Sequence, residues 1–469
     1  MNDVRFLTVR ELRTLLRRRK ISALELFTIT CDVLEREGRP LNAVAAVTRE
    51  RGAVEATAAD RAIARGRDGG LLGIPYGVKD LIDARGAPTT WGVAACRDRV
   101  ADRDATVVGR LRRAGAPLAA KLALIGLAGS GGYRLPSASL QGPARNPWDP
   151  TRWTGGSSSG SAAAVAAGLV PFALGSETSG SIGGPAAHCG ITGLRPTYGL
   201  VSRAGAMPAS WTLDKIGPMA HTAEDCATVL EVIAGRDDRD RSASGRRFQA
   251  LDRRQAAAAV RGVRIGLAEE DLSASAETAR AALSGGIAEM RRIAPRFRRA
   301  ALPPELPYGA MVTTIMSAEA SEIFDELVEG PGILGLVDPH QRAGLRAGRT
   351  ILARDDLRAL RLRPVLGDAF RAIFREVDVL LSVSRPATAS RLDTPFDRPR
   401  SRPVGNQAIT AAANLAGLPA IFIPCGLAAD GLPVGLQLVG PPWSEPLLVA
   451  LAARYQRDTA HHLRRPPSV

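Results

Sequence analysis

Stretches of strand and helix character alternate along this chain, which predicts an α/β protein. Two further observations support that class. At 469 residues and 45% hydrophobic content, the chain has the composition of a soluble globule with a large core. It carries no internal repeat and no low-complexity tail, so solenoid and disordered classes are set aside.

The elements follow in order. Thr8 can cap a first helix whose apolar face is Val9, Leu12, Leu15 and Leu16. Ser22-Ala-Leu-Glu25 is a capping box for a second. Ala43–Val47 reads as a strand and Arg49–Arg65 as a third helix. A Pro/Gly block at 73–77 makes a tight turn before Lys79. Asp104 opens another helix, running to Ala114, and Ala116–Ala120 is a short buried strand followed by Lys121. Residues 129–150 are rich in Gly, Ser and Pro. They form either an ordered loop beside the core or, at Gly129, Ser130, Gly131, Gly132 and Tyr133, the lining of a substrate pocket. Beyond 230, Arg236–Arg254 reads as a solvated loop and Val263–Leu267 as a strand. Residues 275–293 and 342–376 are helical, and Val377–Ser382 is a strand. Ala420–Pro424 and Val434–Val439 pair around the Asp430-Gly431 turn, and Leu447–Tyr455 is a closing helix.

The chemistry is concentrated between Thr154 and Gly193. A Gly-Gly-Ser-Ser-Ser-Gly loop leads into a small-residue helix (Ser161–Gly168) and an apolar run (Leu169–Leu174). A second Gly/Ser loop then centres on Ser181. Glycine lets backbone turn sharply or approach a ligand closely. Two such loops carrying serines suggest one site with a serine nucleophile, a base and backbone N–H donors. None of the five histidines lies in a Gly-x-Ser-x-Gly context. Lysine is the informative base: the chain has four (Lys20, Lys79, Lys121, Lys215) against 58 arginines, 62 minus 4. Arginine stays protonated, whereas a desolvated lysine can serve as a neutral base.

Gly-Val-Lys-Asp (77–80), Gly-Gly-Ser-Ser-Ser-Gly-Ser-Ala-Ala-Ala-Val (155–165) and Gly-Ser-Glu-Thr-Ser-Gly-Ser-Ile (175–182) resemble the amidase signature family. So does Asn-Leu-Ala-Gly-Leu-Pro-Ala at 414–420. The resemblance implies one amidase domain over 1–469, with a core signature region at about 70–225 and a variable, pocket-shaping region at about 300–400. It implies a central mixed sheet of about ten strands wrapped by helices. It also implies a Ser–cis-Ser–Lys triad: nucleophile Ser181, bridging Ser157 and base Lys79. The oxyanion hole falls on the N–H groups of Thr178, Ser179, Gly180 and Ser181, where one donor is typically worth roughly 3–4 kcal/mol. For Lys79 to be neutral near pH 7, its pKa must fall from about 10.4, which burial can supply. Lys121 matches a lysine common in the family and is read as structural.

Two departures matter. The family pattern Asp-Thr-Gly-Gly-Ser-Ile-Arg stands here as Glu177-Thr178-Ser179-Gly180-Ser181-Ile182-Gly183. The lost arginine suggests that Gly183-Gly184 widens the pocket and makes it more neutral. The 300–400 stretch also lacks the Asp-Gly-x-Arg-Tyr-Gly block expected of the A chains of transamidosomes, which argues against tRNA-dependent amidation.

Net charge is +15, but the basic clusters (Arg17–Lys20, Arg296–Arg299) are short and aromatics for base stacking are scarce, so no nucleic-acid partner is expected. Residues 1–30 have no apolar signal core, and no run of 18 apolar residues occurs, so neither export nor a membrane is expected. Five widely spaced cysteines (Cys31, Cys96, Cys189, Cys226, Cys425) show no metal spacing and suit a reducing, cytoplasmic setting. Cys189 is the rival nucleophile, disfavoured by the Gly/Ser framework around Ser181. The expectation is a cofactor-free, metal-free serine hydrolase, monomer or homodimer, cleaving amide C–N bonds of a small or medium neutral substrate. A carbamate (urethane) or ester hydrolase with the same triad is one alternative. A transamidosome-like A chain that works with partners and tRNA is another.

Overall fold

The computed structural model describes residues 4–395 and 409–467, so the last part of the 300–400 stretch lies outside the described residues. Among the described residues there are thirteen strands: β1 (Val44–Val47), β2 (Tyr76–Lys79), β3 (Leu118–Leu122), β4 (Arg145–Asn146), β5 (Asp149–Trp153), β6 (Phe172–Glu177), β7 (Thr192–Arg195), β8 (Lys215–Ala220), β9 (Arg264–Leu267), β10 (Arg296–Arg299), β11 (Val379–Val383), β12 (Ala420–Leu427) and β13 (Pro433–Val439). Eleven of them form one mixed sheet in the order β1-β3-β2-β6-β8-β7-β12-β13-β11-β9-β10; β4 and β5 pair separately. Helices cover the sheet in a single α/β domain. Strands β2, β3, β6 and β8 are buried along their whole length, as expected when both sheet faces are covered.

The N-terminal helices form where their caps direct. Thr8 and Glu11 make a reciprocal capping box at Val9–Arg17, and Ser22 and Glu25 make one at Ala23–Val33. The small-residue helix is Ser159–Ala166 and is buried throughout. Gly160 there lies against the Ala43 carbonyl and the Ala123 backbone, too close for any side chain.

Some boundaries differ from expectation. Asp104 does not cap a helix; its carboxylate takes Arg51 Nη1 and the Arg85 N–H, both at 2.8 Å, and the helix begins at Thr106. The predicted strand at 116–120 lies two residues later, with Lys121 inside it. Arg296–Arg299 is the sheet's outermost strand, with Arg296, Arg298 and Arg299 exposed, an arrangement that discourages edge pairing. The helical stretch 342–376 divides into Pro339–Gly348 and Ala353–Glu376. Among the described residues, no helix is long and apolar enough to cross a membrane.

Candidate active site

Strands β2 and β6 are parallel neighbours, with Gly77 opposite Ala173 and Val78 opposite Leu174. Their C-terminal ends therefore emerge at the same edge. That register brings Lys79 beside Ser176: Nζ donates to Ser176 Oγ at 3.0 Å and to Ser157 Oγ at 2.7 Å. Lys79 and Ser157 are both buried. Burial pushes the Lys79 pKa down from 10.5 to about 7, against the opposing pull of Asp214 and Glu177.

The loop carrying Ser157 is fixed by its neighbours. Gly155 takes φ +85°, and the Gly156–Ser157 peptide is cis. Ser158 straddles the end of β6: its Oγ donates to Ser176 O at 3.1 Å and accepts from Ser176 N at 3.3 Å. Its N–H donates to Ser181 O at 3.2 Å, which ties the two Gly/Ser loops together. Among the described residues Ser181 Oγ makes no hydrogen bond of its own, so the Ser157–Ser181 link is open in this structure.

Beyond β6 the chain turns through Thr178–Ser181, with Gly180 at φ +96°. Ser179 is not in the left-handed region, so the glycine-to-serine change there carries no backbone strain. Glu177 Oε2 accepts the N–H groups of Ile182 and Gly183 at 2.8 and 2.9 Å. By contrast, the N–H groups of Ser179, Gly180 and Ser181 meet no acceptor among the described residues. Three successive donors next to Ser181 are thus without a protein acceptor among the described residues.

Glu177 is fully buried and its Oε1 accepts from Arg195 Nη1 at 2.7 Å and Asn414 Nδ2 at 3.0 Å. Burial alone would raise its pKa; Arg195, then Lys215, the Gly183 N–H and Asn414, bring it down to about 2. Pairing of β6 with β8 sets Glu177 opposite Lys215. Lys215 Nζ donates to Asn414 Oδ1 at 2.6 Å and to Thr178 O at 3.4 Å, and burial, then Arg195, pushes its pKa well down. Asp214 accepts from Thr178 Oγ1 at 2.5 Å and holds the N–H groups of Ala209 and Ser210. Sequence reading singled out Lys215 only as one of the four scarce lysines, and gave Asp214, Arg195 and Asn414 no role here. The scarcity of lysine was the available signal for Lys215, and the Asn-Leu-Ala-Gly block for Asn414. Lys121, also fully buried, is spent on Asp80 at 2.9 Å and Thr89 Oγ1 at 2.7 Å, away from the serines. Cys189 is buried and its thiol is pushed up by burial, which keeps it protonated.

The stretch 129–133 divides in two. Tyr133 reaches the serine loop, since a Cβ on Gly156 would stand 3.0 Å from its hydroxyl, and its ring packs against Gly129. Ser130 and Gly131 instead pack on the helix Pro339–Gly348: Gln341 Nε2 donates to Ser130 O at 3.1 Å, and a Cβ on Gly131 would meet Gln341 O at 2.5 Å. Gly132 has φ +79° and is half-buried beside Tyr133.

The expected widening at Gly183-Gly184 is corrected. The ring of Phe422 stands where a side chain on Gly183 would go, so that glycine opens no pocket. Nor is the region neutral. The Arg385 guanidinium lies over Gly184, whose Cβ would stand 2.5 Å from Nη2.

Against known proteins, the Amidase family model matches residues 25–449. The A chain of the glutamyl-tRNA(Gln) amidotransferase of Azoarcus sp. (strain BH72) is 38% identical, covering 98% of this chain and 99% of that protein. Among solved structures, the native peptide amidase of Stenotrophomonas maltophilia superposes with TM-score 0.81 at 30% identity over 98% of both chains. A vestigial protein complex bearing on the origins of an s-triazine catabolic enzyme gives TM-score 0.87 at 30% identity, over 97% of this chain and 98% of that one.

These relatives correct one expectation. A small-molecule partner alone, with no nucleic acid, does not fit relatives that span the whole chain and form one component of an enzyme named for a tRNA. One component can serve such a reaction without its own stacking surface, so few aromatics and short basic clusters did not exclude it. Family model, full-length relatives and fold agree: the chain belongs to the amidase family and is an enzyme of amide C–N bond hydrolysis.

Proposed function

We propose that this chain is the amide-hydrolysing component of an amidotransferase-type assembly, with Ser181 as nucleophile, Ser157 as proton relay and Lys79 as base. The observation that supports it best is the 38% identity to the A chain of an amidotransferase along essentially the whole of both chains. Neutral Lys79 accepts the Ser157 proton while Ser157 takes that of Ser181, and Ser181 Oγ attacks the carboxamide carbon. The oxyanion settles against the open N–H groups of the Thr178–Ser181 turn. The C–N bond breaks as the proton returns through Ser157 to the leaving nitrogen, which departs from a primary amide as ammonia. Water then cleaves the Ser181 ester by the same relay and leaves a carboxylic acid. In an amidotransferase, the released nitrogen is what is handed on. The same acyl transfer would serve any carbamate or ester that the pocket admits.

A second reading, an amidase that works without partner chains, is favoured by the missing Asp-Gly-x-Arg-Tyr-Gly block in the 300–400 stretch. Affinity purification of the tagged chain from its own cells separates the two. The amidotransferase reading expects stoichiometric partner chains and an assembly that amidates charged tRNA. It is overturned by a chain that purifies alone and turns over primary amides, anilides, carbamates or esters at full rate.

A further inference from the structure

Just past β11, the chain presents a cation to the nucleophile turn that the mechanism above does not use. Ser384 is anchored twice: its N–H donates to Gly435 O at 2.9 Å and its Oγ to Gly183 O at 3.2 Å. Pro386 O accepts the Ala276 N–H at 2.7 Å. Arg385 is therefore held between two fixed neighbours and is partly exposed. Its Nη2 donates to Gly180 O at 3.1 Å, one residue before Ser181. The guanidinium fills the space into which side chains at 180 and 184 would project: a Cβ on Gly180 would stand 2.8 Å from Nη2, and one on Gly184 2.8 Å from Nε.

Other arginines drawn into this region are spent on protein groups. Arg195 gives Nη1 to Glu177 and Nε to Leu418 O and is fully buried, with Nη2 unpaired among the described residues, whereas Arg363 is held by the carbonyls of Leu415 and Thr212. Arg385 has no carboxylate partner among the described residues and uses Nη2 alone. The rest of its fork is available, and that fork matches a carboxylate in geometry as well as charge. The adjacent histidine adds no second cation: burial, then the Arg385 charge, pushes the His188 pKa down to about 3.

We propose that Arg385 anchors an anionic group on the substrate, so that the site selects amides bearing a carboxylate on the acyl portion. With ammonia as the leaving group, only the acyl portion can carry that charge. The inference rests on the reading of Ser181 as nucleophile. It also accounts for both glycines after Ile182. Phe422 leaves no room for an arginine side chain at 183, and a side chain at 184 would collide with Arg385. The cation that the family pattern places two residues after the nucleophile is supplied here from another strand end.

The test is calorimetric binding of two matched ligands, succinamate and butanamide, to the Ser181→Ala protein, which does not consume them. Succinamate is expected to bind about 10- to 100-fold more tightly, as for a hydrogen bond to a charged group. Adding Arg385→Met should erase that preference, and Arg385→Lys should restore part of it. In the active enzyme, Arg385→Met should collapse the kcat/KM ratio of succinamate to butanamide, chiefly through KM. Equal binding of the two ligands with Arg385 intact overturns the proposal. So does a preference that survives Arg385→Met, or an equal fall for both amides, which would mean that Arg385 only holds Gly180 O. If Arg385→Met does not fold, Arg385→Lys and the comparison with Arg385 intact decide. Labelling of Ser181 by a fluorophosphonate reads the nucleophile separately. Labelling without a carboxylate preference refutes the anchor alone, and a preference without labelling refutes the nucleophile alone.

Discussion

As the base proposed above, Lys79 would draw its strength from burial, and the size of that effect follows from its shifted pKa. At pH 7, a lysine of ordinary pKa 10.5 is neutral in about one molecule in 3,000, while one held at about 7 is neutral in about half. Burial thus supplies roughly a thousandfold more base at neutral pH. Initial rates of ammonia release from a primary amide, measured from pH 5 to 9, should fall about tenfold per unit below pH 7 and level off above 8. Lys79→Arg keeps the size and charge but cannot lose its proton, so it should be inactive across the range. The same residue leaves a mark on stability. In the native state Lys79 favours its neutral form, so between about pH 7 and 10.5 the unfolded chain binds more protons and stability rises with pH. The gap from 10.5 to about 7, at about 1.4 kcal/mol per tenfold step, bounds that rise at roughly 5 kcal/mol. Urea unfolding of Lys79→Met should lack it. A flat rate profile between pH 5 and 8, a midpoint near 10, or an active Lys79→Arg would refute the reasoning.

Three other outcomes are expected. Gly183→Arg should lose about 1–3 kcal/mol in urea unfolding, because the new side chain meets the Phe422 ring. Arg195→Met strands the buried Glu177 carboxylate and should cost about 3–5 kcal/mol at pH 7. In the parent chain the stability that Glu177 contributes is present above its ordinary 4.5 and is lost as pH falls toward about 2, so unfolding from pH 7 down to 2 should show that loss shrinking in the variant. Lys121→Met strands Asp80 and should cost about 3–5 kcal/mol, yet leave the midpoint of the pH–rate profile unchanged, as a rate titration would read.

The capped helices were legible because a capping box is local: Thr8 and Ser22 need only residues three positions away. Lys79 stood out because arginine could have served nearly anywhere else, and the fold buries it beside Ser157. β8 was not, since Gly217 and Pro218 within Lys215–Ala220 lack strand character, and pairing with β6 overrides that preference. The start of β3 slipped by two residues because a continuously apolar run marks a buried strand without marking its ends. The sequence showed that the usual arginine after Ile182 was gone. It could not show that Arg385, far along the chain, comes to lie over Gly184, because that juxtaposition depends on tertiary packing between the end of β11 and the helix Gly183–Cys189.

With Lys79, Lys121 and Lys215 all sealed in the interior, Lys20 is the one exposed lysine side chain, in the turn between the first two helices. Amine-directed reagents such as succinimidyl esters would therefore modify the folded protein at Lys20 and at any free α-amino group. A dye, a resin or a crosslinker attached at the lysine side chain would then sit at Lys20. A lysine-specific protease acting on the native fold would likewise find Lys20 alone, while unfolding would expose the other three and turn the cleavage pattern into a direct gauge of the folded fraction.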